Sequence, residues 1–240
     1  EPLALLDGAS MNPFKTGATG AVAVDALARA DAETVGLIGS GAQARGQLRA
    51  TATVRELAAV DVYSPTQAHR EEFAAEMSET LGVDVTAVES SRAAVADADI
   101  VITATTAGEP VFDGGRLAPG THVTAMGQYN PTKRELDTTT VEQSTYVPDL
   151  RDRATQDAGA LLHAIEAGVV DESHIHAELG EIVGGDAAGR TSDEEITVFD
   201  SGGTAIETVA AAGMLYERAR EQGLGSTIEF APASDALTGK

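Results

Sequence analysis

The chain has 240 residues, 42% of them hydrophobic, and carries 38 acidic against 16 basic side chains, a net charge of −22. This suffices for one large α/β domain, or for one domain with part of another. The absence of cysteine excludes disulfides, thiolate nucleophiles and cysteine metal sites. Apolar runs are short, as at residues 100–102, so no transmembrane helix is expected. The start, Glu1-Pro2-Leu3, lacks the basic residues of a signal peptide, and a cytoplasmic location is expected. Three lysines (Lys15, Lys133, Lys240) stand against 13 arginines, and the carboxylates spread through apparently folded segments. We read this as a surface adapted to high salt, where a Debye length of roughly 3 Å removes the self-repulsion. An acidic face for a cationic partner is the alternative, and a nucleic-acid partner is disfavoured because phosphates would meet like charge.

Taken in chain order, residues 3–6 read as a strand with no earlier partner, and residues 16–29 as a helix. Strands follow at 34–39, 59–63, 83–88, 99–104 and 121–126, with a sixth beginning at 146–147. Between them lie helices at 42–54, 66–81 and 91–96. This alternation predicts an α/β fold with a doubly wound, Rossmann-type parallel sheet. After Asp149 the pattern predicts helices at 154–168 and 172–183, a polar loop at 184–193, a strand at 195–199 and a helix over 204–222 closed by Gly223. A chain that opens on residues 3–6 and a helix ahead of the first Rossmann strand looks as though an upstream domain is missing. The stretch from about Ser226 is expected to be loosely held.

Chemistry concentrates at strand ends. Gly39-Ser40-Gly41-Ala42-Gln43-Ala44 follows a strand and opens a helix, the G-x-G-x-x-A form of the dinucleotide fingerprint. Its first glycine permits a tight turn, the second lets backbone approach a pyrophosphate, and the small third residue lets helix and strand pack. The helix N-terminus favours phosphate charge. An S-adenosylmethionine methyltransferase would explain this loop and nothing else. No acid ends the second strand, where one would bond the ribose of NAD. Ser64, Thr66 and Arg70 there are suited to a 2′-phosphate, which tilts the expectation toward NADP or dual use; Ser64 and Thr66 also read as caps of the next helix. Thr103 and Thr105 at the end of the fourth strand, and Met126 and Gly127 at the end of the fifth, are expected on the ribose or nicotinamide side.

Asp200, between an apolar strand and Ser201-Gly202-Gly203, reads on its own as a helix cap. The histidines suggest no metal site: His174 and His176 fall on different helix faces, and His163 pairs with Glu166 as a solvated i, i+3 neighbour. No Ser-His-Asp order or HExxH motif is present.

Together these motifs resemble the ornithine cyclodeaminase/mu-crystallin family across essentially the whole chain. The resemblance rests on Leu5-Leu6-Asp7-Gly8, the Gly41-Ala42-Gln43-Ala44 turn, residues 103–112 and Leu117-Ala118-Pro119-Gly120-Thr121-His122. It continues in Arg134-Glu135-Leu136-Asp137, Glu178-Leu179-Gly180-Glu181, Gly189-Arg190-Thr191 and, above all, Val198-Phe199-Asp200-Ser201-Gly202-Gly203-Thr204-Ala205. It implies a dimeric, two-domain fold: residues 1–14 as the end of a substrate and dimerisation domain, 15–200 as the NAD(P)-binding domain, and 201–240 as a helix returning to the first. The family's upstream substrate-binding arginine and lysine, and a catalytic acid, have no counterpart here. Asp200 matches the aspartate that ornithine cyclodeaminases use beside the substrate amine, and its expected role is general base. Lys15 stands for the family's arginine, and Lys15 and Thr16 are expected at the pyrophosphate; a lysine cannot reproduce a planar bidentate grip. Met11-Asn12-Pro13 and Gly202 also depart from the family pattern. The implied reaction is conversion of L-ornithine to L-proline and ammonia by hydride transfer at the α-carbon. Alanine dehydrogenase, cyclic imino-acid reductase and a non-catalytic NADPH-binding protein are the alternatives.

Overall fold

The computed structural model describes residues 3–228. Its strands alternate between two apolar faces, which dictates a sheet covered on both sides. In β1 (Thr34–Ile38), Val35 and Leu37 enter one core layer and Ile38 the other. In β4 (Ile100–Thr103), Ile100 and Ile102 join the first and Val101 the second. Helices α2 (Ala42–Thr51) and α3 (Gln67–Leu81) supply Leu48, Phe73 and Met77 to the first layer. Helix α7 (Gly159–Glu166) supplies Leu161 and Ala164 to the second.

The remaining strands are β2 (Ala59–Tyr63), β3 (Asp84–Ala87), β5 (His122–Ala125), β6 (Ser144–Pro148) and β7 (Ile196–Asp200). They form one seven-stranded sheet in the order β3-β2-β1-β4-β5-β7-β6, parallel throughout. The order reverses between β1 and β4, and the carboxyl ends of these strands open a crevice there.

Several expectations change. Helix α1 runs Gly8–Leu27 and so begins well before residue 16, because Asp7 caps it by accepting from the Ala9 amide at 3.0 Å and the helix continues through Pro13. Residues 3–6 form no strand, and Leu3 and Leu5 are exposed. The helix expected over 154–168 is two, α6 (Arg151–Asp157) and α7, broken at Ala158, where the Gly159 amide donates to the Gln128 carbonyl at 2.8 Å. The helix expected over 172–183 is a 3-10 turn (Glu172–His174) and α8 (Leu179–Gly184). Between them Ile175 bridges Tyr146, and the His176 amide donates to the Tyr146 carbonyl. Short helices α4 (Ser91–Val95) and α5 (Thr138–Glu142) complete the crossovers, the latter unforeseen. Helix α9 (Ala205–Glu221) starts on a Thr204/Glu207 capping box. The sequence beyond residue 228 lies outside the described residues.

Candidate functional site

The crevice is a cleft of about 1110 Å³. One wall is the glycine turn. Gly39 has φ +121°, and a Cβ there would lie 2.3 Å from the Ala104 carbonyl oxygen, so only glycine fits between β1 and the chain leaving β4. Gly41 is the N-cap of α2 and no side chain caps that helix, which leaves its first amides directed into the cleft beside Ser40, Ala42 and Gln43. A Cβ at Gly41 would meet nothing within 4 Å. Ser201 also lines the cleft, and its Oγ is buried without a partner. Open amides at a helix start, an open glycine face and an orphaned hydroxyl suit an elongated anionic dinucleotide.

Helix α1 closes one side. Thr16 donates to Gln43 Oε1, and Gln47 Nε2 donates to the Thr16 carbonyl at 2.8 Å. Lys15 lines the cleft too, with its Nζ 3.3 Å from Glu207 Oε2 on α9. At the end of β2, Ser64 and Thr66 border the cleft and Ser40 Oγ donates to Ser64 Oγ at 3.0 Å. Thr66 is the N-cap residue of α3 but makes no side-chain cap bond.

Two expected contacts are not where the sequence suggested. Arg70 is buried outside the cleft lining: it donates to the Ser64 carbonyl at 3.1 Å and stacks over Tyr63, 5.8 Å from the ring centre. Thr103 is fully buried and spends its hydroxyl on Glu135, at 2.8 Å. Thr105, Met126 and Gly127 do line the cleft.

Glu135, like Gln128, Tyr146 and Asp149 around Asp200, drew no role from the sequence. Its buried carboxylate accepts from Thr103 Oγ1 and from the amides of Thr105 (2.6 Å), Met126 (3.1 Å) and Gly127 (2.6 Å). Four donors on one carboxylate fix the chain leaving β4 and the chain leaving β5. Its only sequence signal was its place in Arg134-Glu135-Leu136-Asp137, which assigns it no task.

Asp200 is the last residue of β7, and Thr204 caps α9, so the capping reading of Asp200 does not hold. Its carboxylate accepts from Tyr146 Oη and from Gln128 Nε2, the latter at 2.7 Å. Burial pushes its pKa up to about 7, against the lowering effect of those bonds, and the nearby charges of Asp149 and Glu135 push the same way. Asp149, at the end of β6, is raised to about 6 by burial, although it accepts from the Gly203 and Leu150 amides. Burial and the Asp200 charge keep the Tyr146 phenol protonated far above the ordinary range. Asp200 borders a small cavity shared with Asp149, Arg153 and Asp157. Tyr129 and Gly202 line both this cavity and the cleft, so they form the partition between acid and crevice.

A sequence profile of the ornithine cyclodeaminase/mu-crystallin family matches residues 1–223. The Thermococcus litoralis Δ(1)-pyrroline-2-carboxylate reductase, solved in complex with NADH and L-proline, superposes with a TM-score of 0.93 at 43% identity, over 95% of this chain and 70% of that one. An archaeal alanine dehydrogenase dimer with bound NAD gives 0.91 at 34% identity, over 96% and 71%. The Δ(1)-pyrroline-2-carboxylate reductase of Bacillus cereus (strain ATCC 10987) is 40% identical over 231 residues, which are 96% of this chain and 71% of that protein.

Proposed function

Because the chain belongs to the ornithine cyclodeaminase/mu-crystallin family, we propose that it is an NAD(P)-dependent oxidoreductase that reduces a cyclic imino acid of the Δ(1)-pyrroline-2-carboxylate class to the corresponding L-amino acid. One observation carries the reading: a cleft shaped for a dinucleotide lies one partition away from an acid that can exchange a proton near neutral pH. The choice of substrate rests on the likeness to two reductases. The expected conversion of L-ornithine moves to second place, since the two reductases are 43% and 40% identical to this chain, against 31% for a probable ornithine cyclodeaminase from Bordetella pertussis.

In this reading the Gly39 turn and the first amides of α2 hold the pyrophosphate, and the Thr105, Met126 and Gly127 backbone, braced by Glu135, forms the wall beyond it. A reduced nicotinamide bound there supplies a hydride to the imine carbon. The nitrogen must gain a proton for the C=N bond to become an amine, and Asp200 holds one near neutral pH. Tyr146 and Gln128 fix the direction of that carboxyl group. Because Arg70 is engaged with Ser64 and Tyr63, a 2′-phosphate gains no guanidinium, and NADPH is expected to bind no more tightly than NADH. A homodimer is part of the same proposal, by likeness to the dehydrogenase dimer.

The test is nicotinamide consumption in molar potassium chloride with three substrates: Δ(1)-pyrroline-2-carboxylate, pyruvate with ammonia, and L-ornithine with catalytic NAD. Stoichiometric oxidation of NADH by the cyclic imine supports the reading. Turnover of ornithine without net NADH change would replace it with cyclodeamination, and turnover confined to pyruvate would replace it with alanine dehydrogenation.

A further inference from the structure

Gln128 is fully buried and every polar atom of its side chain is engaged. Its Nε2 donates to Asp200 Oδ2 at 2.7 Å, while its Oε1 accepts from the amides of Glu135 (3.2 Å) and Leu136 (3.3 Å). Its own carbonyl accepts from the Gly159 amide, which ties it to the start of α7. On the other side, the Glu135 carboxylate holds the amides of Thr105, Met126 and Gly127 in the cleft wall. One continuous strut of hydrogen bonds, half-buried at the cleft wall and buried beyond it, therefore runs from the wall through Glu135 and Gln128 to Asp200. An amide side chain suits the middle of it, since it accepts from two backbone donors with one end and donates to a carboxylate with the other. A buried network with all members satisfied fixes a single geometry.

We propose that Gln128 is a positioning residue for Asp200: anchored on the Glu135 and Leu136 amides, it aims and holds the Asp200 carboxylate in register with the cleft wall that Glu135 braces. This deepens the proposed reductase reading, and it rests on that reading only for the catalytic consequence; the link between Gln128 and Asp200 stands on its own. The charged and titratable groups that face Asp200 are Tyr146 from β6, Asp149 just after it, Glu135 from the loop after β5, and Arg153 and Asp157 from α6, which share its cavity. Arg153 pairs with Asp157 at 3.2 Å, and among the described residues no cation pairs with Asp200, so the neutral donors Tyr146 and Gln128 carry its stabilisation.

Two variants test the proposal. Gln128→Met removes the donor. Gln128→Glu preserves shape and keeps an acceptor for the Glu135 and Leu136 amides, but it sets a carboxyl group against Asp200. The readout is the infrared carboxylic C=O band of Asp200, identified by its loss in Asp200→Asn and followed against pH in the full chain. The midpoint is expected to rise in the order wild type, Gln128→Met, Gln128→Glu, with a shift of about one pH unit in the first step. The high-pH limb of imine reduction should move the same way, with a fall of at least about tenfold in kcat and NADH affinity within about twofold. Circular dichroism and NADH titration establish that each variant is folded. An unmoved midpoint in folded Gln128→Glu overturns the proposal. Full turnover in Asp200→Asn would instead overturn the catalytic reading of Asp200, and leave the infrared midpoint to decide the link to Gln128.

Discussion

At the scale of single residues, the decisive feature is that carboxylates are buried where water cannot solvate them. Asp200 titrates near 3.8 when ordinary and near 7 in the folded chain, with burial as the main cause. The folded state therefore binds a proton more firmly than the unfolded state between those values. The stability this group contributes is fully present below about pH 4 and is lost as pH rises through about 7, on the order of a few kcal/mol in total. Asp149, raised to about 6, adds a smaller loss of the same sign and completes it earlier. Buried His122, whose pKa is held down to about 3 by burial, works the other way, because only the unfolded chain protonates it near pH 5. The two carboxyl groups together outweigh it, so in molar potassium chloride, where surface repulsion is screened, wild type should melt at a lower temperature at pH 8 than at pH 5. Asp200→Asn should shrink that difference, since its amide needs no proton. Equal differences in wild type and variant would mean that the ionisation costing stability is not at Asp200.

At the scale of elements, α1 and α2 pack backbone to backbone. A Cβ on Gly17 would lie 2.4 Å from the Gly46 carbonyl oxygen, and one on Gly46 would lie 2.2 Å from that of Pro13. Such overpacking costs about 1–3 kcal/mol. Because α2 carries the amides of the cleft, Gly46→Ala should lose stability in a denaturant titration and also bind NADH several-fold more weakly. Gly180→Ala is the control, since a Cβ there meets nothing within 4 Å. If Gly46→Ala matched the control in both measurements, the close approach of the two helices would not matter to the cleft. The elements legible in the sequence were those whose own residues decide them. The two-faced apolar strands β1 and β4, the glycine turn and the capped α9 all announce themselves locally. The illegible ones depend on distant partners. Ala158 breaks a helix because Gly159 bonds to Gln128, and Thr103 leaves the cleft because Glu135, 32 residues on, claims its hydroxyl. The same holds at the site: the glycine fingerprint was plain, whereas Gln128 acquires meaning only from a carboxylate 72 residues away.

At the scale of the whole molecule, charge dominates. The net charge is −22, and the eight ion pairs among the described residues engage only a minority of the 38 carboxylates. Several of those pairs join exposed partners, such as Arg116 with Asp113, and exposed pairs each contribute little. The remaining carboxylates repel one another across the surface, which penalises the compact state relative to the expanded chain. Salt acts on this term directly, because the Debye length shrinks from about 10 Å at 0.1 M to about 3 Å at 1 M, shorter than most separations between surface charges. The melting temperature should therefore climb steeply between those concentrations of potassium chloride and flatten above them. Sodium chloride should reproduce the rise at equal ionic strength, and sucrose at matched osmolality should give a smaller one, since it strengthens burial without screening charge. A melting temperature that ignored potassium chloride would show that the acidic surface imposes no net repulsion on the fold, and the excess of carboxylates would then need a different physical reason.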